Sequence, residues 1–312
     1  MKLEGIHHIT AITGDARRNL DFYTRVLGLR LAAKTVNQDD PSAYHLFYAD
    51  EQGRPGSELT FFEYAGAPQG TAGAGMVHRI VWRVRDDASV DFWAERLANE
   101  GVPVERTDTG LLFTDFESLA HELTTVDNGN EPLTAEHPEI PQEHALLGFA
   151  AVRAYTDDPD RSRALLEKVL GASPAGDGAW ELRGERRGSV MAYDAPPENR
   201  PRPGAGTVHH IAWGTTIEEH PRWEDHLESS GVRTSGIIDR HYFHSIYFRE
   251  PSGVLFEIAD DGPGFTVDVP LEELGSKTIL PPKLEPYREQ IEANLTPLPD
   301  PRADRAAAAR QS

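Results

Sequence analysis

Apolar and polar positions along this chain follow one order, and the order repeats four times. Ile6–Ala11 alternates as a half-buried strand does. Asp15 then stands at a helix start, Leu20, Tyr23, Val26 and Leu27 follow at helical spacing, and Gly28 ends the run. Leu29–Val36, Ala43–Tyr48 and Leu59–Tyr64 return to strand-like patterns. A second unit opens at Val77–Trp82, has a helical stretch near Ser89–Glu100 stopped by Gly101, and closes on Ala120–Leu123. A third opens at Leu147–Ala154, carries a helix near Pro159–Leu170 before Gly171, and closes weakly at Ser189–Tyr193. The fourth opens at Val208–Trp213, with a helix near His220–Ser230 before Gly231. It ends on Ser245–Arg249 and Val254–Ile258, joined by the turn Glu250-Pro251-Ser252-Gly253.

The pattern predicts four βαβββ modules. A single module makes a curved, half-open sheet that cannot bury its concave face alone, so modules pair and four give two cup-like half-barrels, an α+β fold. The Pro-, Glu- and Asn-rich stretch Asp127–Glu143 reads as a linker. The expected division is 1–130 for two modules, 131–144 for the linker, 145–262 for two more modules, and 263–312 for an extension. Within that extension Gly262–Pro282 looks extended, Pro286–Leu295 forms a short helix, and Ala303–Ser312 is a disordered tail.

Against this frame one doublet stands out. His7-His8 on the first strand returns as His209-His210 on the first strand of the fourth module, and Glu257 lies on that module's last strand. Two histidines and a carboxylate in β-like runs are the parts of a facial-triad metal site, which leaves coordination positions open. The second residue of each doublet is the ligand slot: His8, Arg79, Ala150 and His210. The last-strand slots fall near Glu63, Glu122, Ala192 and Glu257. Modules two and three cannot assemble a site with Arg79 and Ala150; modules one and four can, if they share a cup. The candidate ligands are His8, His210 and Glu257, with Glu63 as a fourth. Strand parity places His7 and His8, and likewise His209 and His210, on opposite faces, so one of each pair binds directly. His45, His121, His137, His144 and His220 read as surface or structural, and Trp93 and Trp223 as helix residues of the core or of an interface.

Composition narrows the chemistry. The 312 residues carry 31 basic and 51 acidic side chains, a net charge of −20 that argues against nucleic acid and anionic membranes. Without cysteine, disulfides, thiol nucleophiles and thiolate metal sites are excluded, and any metal must take N and O ligands. The opening Met1-Lys2-Leu3-Glu4 has no secretory apolar region and no run is long enough to span a bilayer, so a cytoplasmic protein is expected.

His7–Asp15 running into Asn19–Tyr23, Lys34–Asn37 with Asp39-Asp40-Pro41, Tyr44-His45-Leu46, and Asp239–Pro251 carry a resemblance. The sequence resembles the vicinal oxygen chelate superfamily (the glyoxalase/bleomycin resistance/dioxygenase fold). Within it, the chain is similar to ring-cleaving, extradiol-type dioxygenases related to 2,6-dichlorohydroquinone 1,2-dioxygenase. The resemblance covers nearly the whole chain to about residue 290. It implies Fe(II), or Mn(II) in some relatives, on His8, His210 and Glu257. It also implies roles around the metal for His7, Thr10, His209, Arg240 and Tyr247, with Tyr247 or a nearby histidine, His244, His241 or His209, as proton donor. The expected activity is insertion of O2 into a hydroquinone-type or catechol-type diol by a homodimer or higher oligomer. The alternatives are a glyoxalase-like isomerase or lyase, which needs Glu63 on the metal, and a metal-free binding protein of the antibiotic-sequestering type.

Overall fold

The computed structural model describes residues 1–303, so the tail predicted from Ala303 lies outside the described residues except at its first position. All four modules are present. The first comprises β1 (Ile6–Thr13), α1 (Ala16–Asp21), β2 (Arg30–Asn37), β3 (Asp40–Ala49) and β4 (Glu58–Glu63). The second comprises β5 (Val77–Arg83), α2 (Asp87–Asn99), β6 (Val104–Thr107), β7 (Gly110–Thr114) and β8 (Ala120–Thr124). The third has β9 (Phe149–Tyr155), α3 (Asp160–Ala164), β10 (Ser173–Gly176), β11 (Ala179–Arg183) and β12 (Gly188–Asp194). The fourth has β13 (Val208–Thr215), α4 (His220–Ser229), β14 (Thr234–Asp239), β15 (His244–Arg249) and β16 (Leu255–Asp260). A short α5 (Arg288–Asn294) lies in the extension, inside the predicted span.

Local chemistry sets the ends of α1. The Asp15 carboxylate accepts from the Arg18 amide at 3.1 Å. The helix widens into a π-turn at Phe22–Val26, then stops at Gly28, whose φ of +72° suits glycine. A β-carbon at Gly28 would also meet Ile140 Cδ1 at 2.4 Å.

The modules pair first with fourth and second with third. One eight-stranded sheet runs β14-β15-β16-β13-β1-β4-β3-β2, and the other runs β10-β11-β12-β9-β5-β8-β7-β6. Each sheet is thus assembled from both sides of the 131–144 stretch. At its centre β1 lies antiparallel to β13 and parallel to β4. Strand alternation then sorts side chains to two faces. Ile9, Ala11, Leu46, Tyr48, Leu59 and Phe61 join Leu20, Tyr23, Val26 and Leu27 from the helical run in the core. His8, Thr10, His45, Phe47, Glu58, Thr60 and Phe62 occupy the other face, inside the cup.

The register slips wherever a doublet occurs. Ile6 and His8 face Trp213 and Ala212, leaving His7 as an extra residue; Thr10 and Ala11 face His210 and Val208, leaving His209 extra. In the second sheet the same bulge falls on His78 and Ala150. A β-bulge inserts one unpaired residue and re-aims its neighbours. It revises two expectations. The two rings of a doublet do not part to opposite faces: His7 and His8 both lie against Phe243, at ring separations of 5.7 and 5.3 Å. The third ligand slot is Ala151 rather than Ala150, which is the bulge residue.

A buried hydrogen-bonded chain ties the two sheets. Trp82 Nε1 donates to His121 Nδ1 (3.2 Å), so the His121 proton sits on Nε2, 3.1 Å from Tyr23 Oη, which donates to Asp115 Oδ2 at 2.9 Å. Burial pushes His121 down to about 3 and Asp115 up to about 6. His121 is thus the structural histidine that the sequence suggested. Trp93 and Trp223 are core residues. The extension packs on the cup side, where Phe265, Val269, Leu274 and Ile279 cluster with Ala33, Phe47, Tyr242, Phe243 and Ala259. Ile279 N donates to Lys34 O at 2.9 Å. No helix among the described residues is long and apolar enough to cross a membrane.

Candidate metal centre

The central strands carry the predicted ligands to one point. His8 comes from β1, His210 from the adjoining β13, and Glu257 from β16, directly opposite Ala212. His210 Nε2 lies 2.9 Å from Glu257 Oε2, His8 Nε2 lies 3.3 Å from the same oxygen, and the two Nε2 atoms are 3.4 Å apart. Donors each about 2.1 Å from one ion, at right angles, would sit about 3.0 Å apart. The three side chains are buried, and Glu257 Oε2 has no hydrogen-bond partner. A buried carboxylate oxygen left unsatisfied between two imidazole nitrogens fits a divalent cation. Ser245 Oγ donates to the other oxygen, Oε1, at 2.5 Å and orients the carboxylate. Burial works against the Glu257 charge, but His8 and His210 outweigh it and hold the group well below the usual carboxylate range.

Each candidate histidine ligand is backed by the other histidine of its doublet. His8 Nδ1 is 3.0 Å from His7 Nδ1, and His210 Nδ1 is 2.8 Å from His209 Nδ1. The free Nε2 atoms therefore belong to the cup. His7 Nε2 lies 3.1 Å from the Asp260 carbonyl oxygen, which can only accept. That contact assigns the His7 proton to Nε2 and leaves Nδ1 to accept from His8. Burial, with the neighbouring ligand next, lowers His7 to about 3 and His209 to about 4, so both rings are neutral.

Tyr247 stands across the strand pair from Glu257, its ring 5.6 Å from that of His210. Burial chiefly, with Glu257 second, raises its phenol above the ordinary value. The Arg240 guanidinium sits 5.5 Å from the Tyr247 ring centre and is held by Asp39 in a two-pronged pair at 3.0 and 2.9 Å. Burial lowers the Arg240 pKa, but Asp39 and Tyr247 more than reverse this, so it stays charged. Thr10 Oγ1 meets Thr60 Oγ1 at 2.8 Å. Tyr247, Arg240 and Asp39, with Phe47, Phe62 and Phe243, line a narrow cavity beside His8 and His210.

Three candidates lie elsewhere. His244 is three residues before Tyr247, so alternation sends it to the far face, where it bonds Asp260 Oδ2 at 2.8 Å. Glu63 pairs with Thr13, well along β1 from the ligands, and accepts from Ala16 N (3.3 Å) and Thr296 Oγ1 (3.2 Å). It caps α1 and faces away from the centre. The residue of β4 in register with the ligand set is Thr60. His241 pairs with Asp268 at 3.2 Å in the extension. The sequence reading passed over His45, Thr60 and Ser245; their same-face spacing with Phe47, Phe62 and Tyr247 was the available signal.

In the second sheet Arg79 takes the place of His8, with Nη1 3.0 Å from Glu122 Oε2. A guanidinium there stands in for a bound cation. After metal loading and desalting, one ion per chain is expected, and Glu122→Ala should leave that ratio unchanged; two ions per chain would refute this assignment.

The family model of the glyoxalase/bleomycin resistance protein/dioxygenase superfamily matches residues 5–115 and 148–258. The Bacillus subtilis (strain 168) protein named "Putative ring-cleaving dioxygenase MhqO" is 40% identical over 304 residues, 95% of this chain and 97% of that one. The chlorohydroquinone/hydroquinone 1,2-dioxygenase of Sphingobium indicum is 30% identical over 307 residues, 93% and 95% of the two chains. A crystal structure from Bacillus subtilis subsp. subtilis str. 168, named a dioxygenase on the same provisional footing, superposes with a TM-score of 0.88. It shares 40% identity and covers 96% of this chain and 98% of its own. With four βαβββ modules in two curled sheets and relatives of this kind along nearly its whole length, the chain belongs to the glyoxalase/bleomycin resistance protein/dioxygenase (vicinal oxygen chelate) superfamily.

Proposed function

We propose that the chain is an Fe(II)-dependent, extradiol-type ring-cleaving dioxygenase that inserts O2 into a hydroquinone-type or catechol-type diol. The observation that carries this reading is the three-donor set itself, with an unsatisfied Glu257 Oε2 between two Nε2 atoms at the floor of an aromatic-walled cavity. His8, His210 and Glu257 would hold the metal, and Mn(II) suits the same donors. Bound there, it supplies open positions where a singlet diol and triplet O2 can be activated together.

The chain's own residues do the rest. His7 and His209 keep the two ligand rings oriented through their Nδ1 contacts. Phe47, Phe62 and Phe243 exclude water and hold the ring. Arg240, kept cationic beside Tyr247, offsets the charge of a substrate that has lost a phenol proton. Tyr247 stays protonated at neutral pH and donates a proton from Oη as oxygen is reduced. Both oxygen atoms enter the opened ring.

Oxygen uptake by anaerobically iron-loaded protein, measured against a panel of hydroquinones and catechols with mass analysis of products, tests the reading. The expected result is uptake with at least one diol and a product heavier by one O2. Iron-replete protein that consumes no oxygen with any diol would refute it.

A further inference from the structure

Arg240 reaches the cavity already holding an anion. Its Nη1 and Nη2 donate to the two Asp39 carboxylate oxygens at 3.0 and 2.9 Å, the fork that a guanidinium offers to any carboxylate. Both residues line the cavity beside His8 and His210. Their settings differ: the Arg240 side chain is 15% exposed and that of Asp39 is 72% exposed, so the cation is enclosed and the carboxylate stands toward solvent. The turn between β2 and β3 keeps Asp39 in place. Asp39 N donates to Asn37 Oδ1 at 3.0 Å, and Gln38 Nε2 donates to the Arg240 carbonyl oxygen at 2.6 Å. Two successive residues of the first module thus grip one residue of the fourth.

The rest of the lining carries no fixed charge. His8 and His210 are the candidate ligands, and burial keeps His45 far below its ordinary value, so its ring is neutral. Burial raises the phenols of Tyr242 and Tyr247, which stay protonated. Among the described residues that line the cavity, Arg240 is therefore the one cation and Asp39 the one carboxylate. The bond to Arg240 chiefly, with Lys283 outside the lining adding to it, holds Asp39 below its ordinary range. A divalent ion on the triad and Arg240 bring three positive charges, and Glu257 and Asp39 bring two negative ones. One net positive charge is left, and one phenolate oxygen neutralises it. A ring carboxylate would carry a second negative charge into an enclosed site whose guanidinium is taken, and an unpaired buried charge is strongly disfavoured.

We propose that Asp39 makes the site selective for diols whose ring substituents carry no charge, by occupying the guanidinium that a ring carboxylate would need. The proposal rests on the metal-centre reading above and deepens it by naming the substrate class. Asp39 acts through Arg240, meets no reacting atom, and is a positioning residue.

The test uses the full chain loaded anaerobically with Fe(II) and two probes of nearly one shape, 2,5-dihydroxyphenylacetate and 2,5-dihydroxyphenylacetamide. Anaerobic calorimetric titration gives the affinity of each. The parent should bind the amide at least about tenfold more tightly than the acid, the scale of one hydrogen-bonded charge. Asp39→Asn removes the charge and keeps the size of the side chain. It should shrink that preference at least about tenfold, by tightening the acid while the amide changes little. Asp39→Glu returns the carboxylate and should return the parent preference, which a merely structural role for the turn would not do. An iron-replete parent that binds the acid as tightly as the amide overturns the proposal. So does an Asn variant that keeps the parent preference, or an iron-replete parent that binds neither probe. Those results leave the metal-centre reading standing. A parent that takes up no metal overturns the selector and the metal-centre reading together.

Discussion

Glu257→Ala is expected to empty the metal centre. Glu257 supplies the only charge among the three donors, and its Oε2 is the atom that both imidazoles face. Losing an outer partner of a metal ligand typically costs ~10–100-fold in affinity; losing an anionic ligand outright should cost at least about 100-fold. Metal per chain after anaerobic loading and desalting should fall to background, and oxygen uptake with it. Glu63→Ala is the control. Its carboxylate caps α1 and bonds Thr296, so iron content should be unchanged while thermal stability drops by about 1 kcal/mol, the usual worth of a cap. Iron retained in the first variant, or lost in the second, would return the isomerase class to contention.

The second large effect is kinetic. Tyr247→Phe removes one oxygen and keeps the ring against His210 and under Arg240. Tyr247 is outside the three-donor set, so metal content should match the parent. Turnover should fall ~10²–10⁴-fold, the range for loss of a positioned acid. A variant running at the parental rate would move proton donation to another group, such as His209, the partner of the His210 ring.

Much of this architecture was legible because alternation and helical spacing survive in each module. The grouping of His8, His210 and Glu257 was legible because the same doublet recurs at equivalent positions. What escaped depends on pairing between distant strands. The bulges at His7 and His209 arise where β1 meets β13, and no local pattern announces an extra residue. Glu63 was placed by its position near the end of a strand, whereas the parallel register of β1 and β4 selects Thr60. His244 could have been set aside from sequence alone, since an odd offset from Tyr247 reverses its face. The edge hairpins β6–β7 and β10–β11 went unnamed because β6 and β10 are four residues long and polar, so they carry little periodic signal.

The exchange of modules between sheets has a consequence for biosynthesis. His8 and His210 are 202 positions apart, and Glu257 follows both. The second and third modules can close their own sheet while β1 still lacks its partner. Contacts of such long separation form late. A ribosome-bound or truncated polypeptide that lacks the fourth module therefore carries His8 without His210 and Glu257, and the proposed metal site can assemble only after those residues have been made.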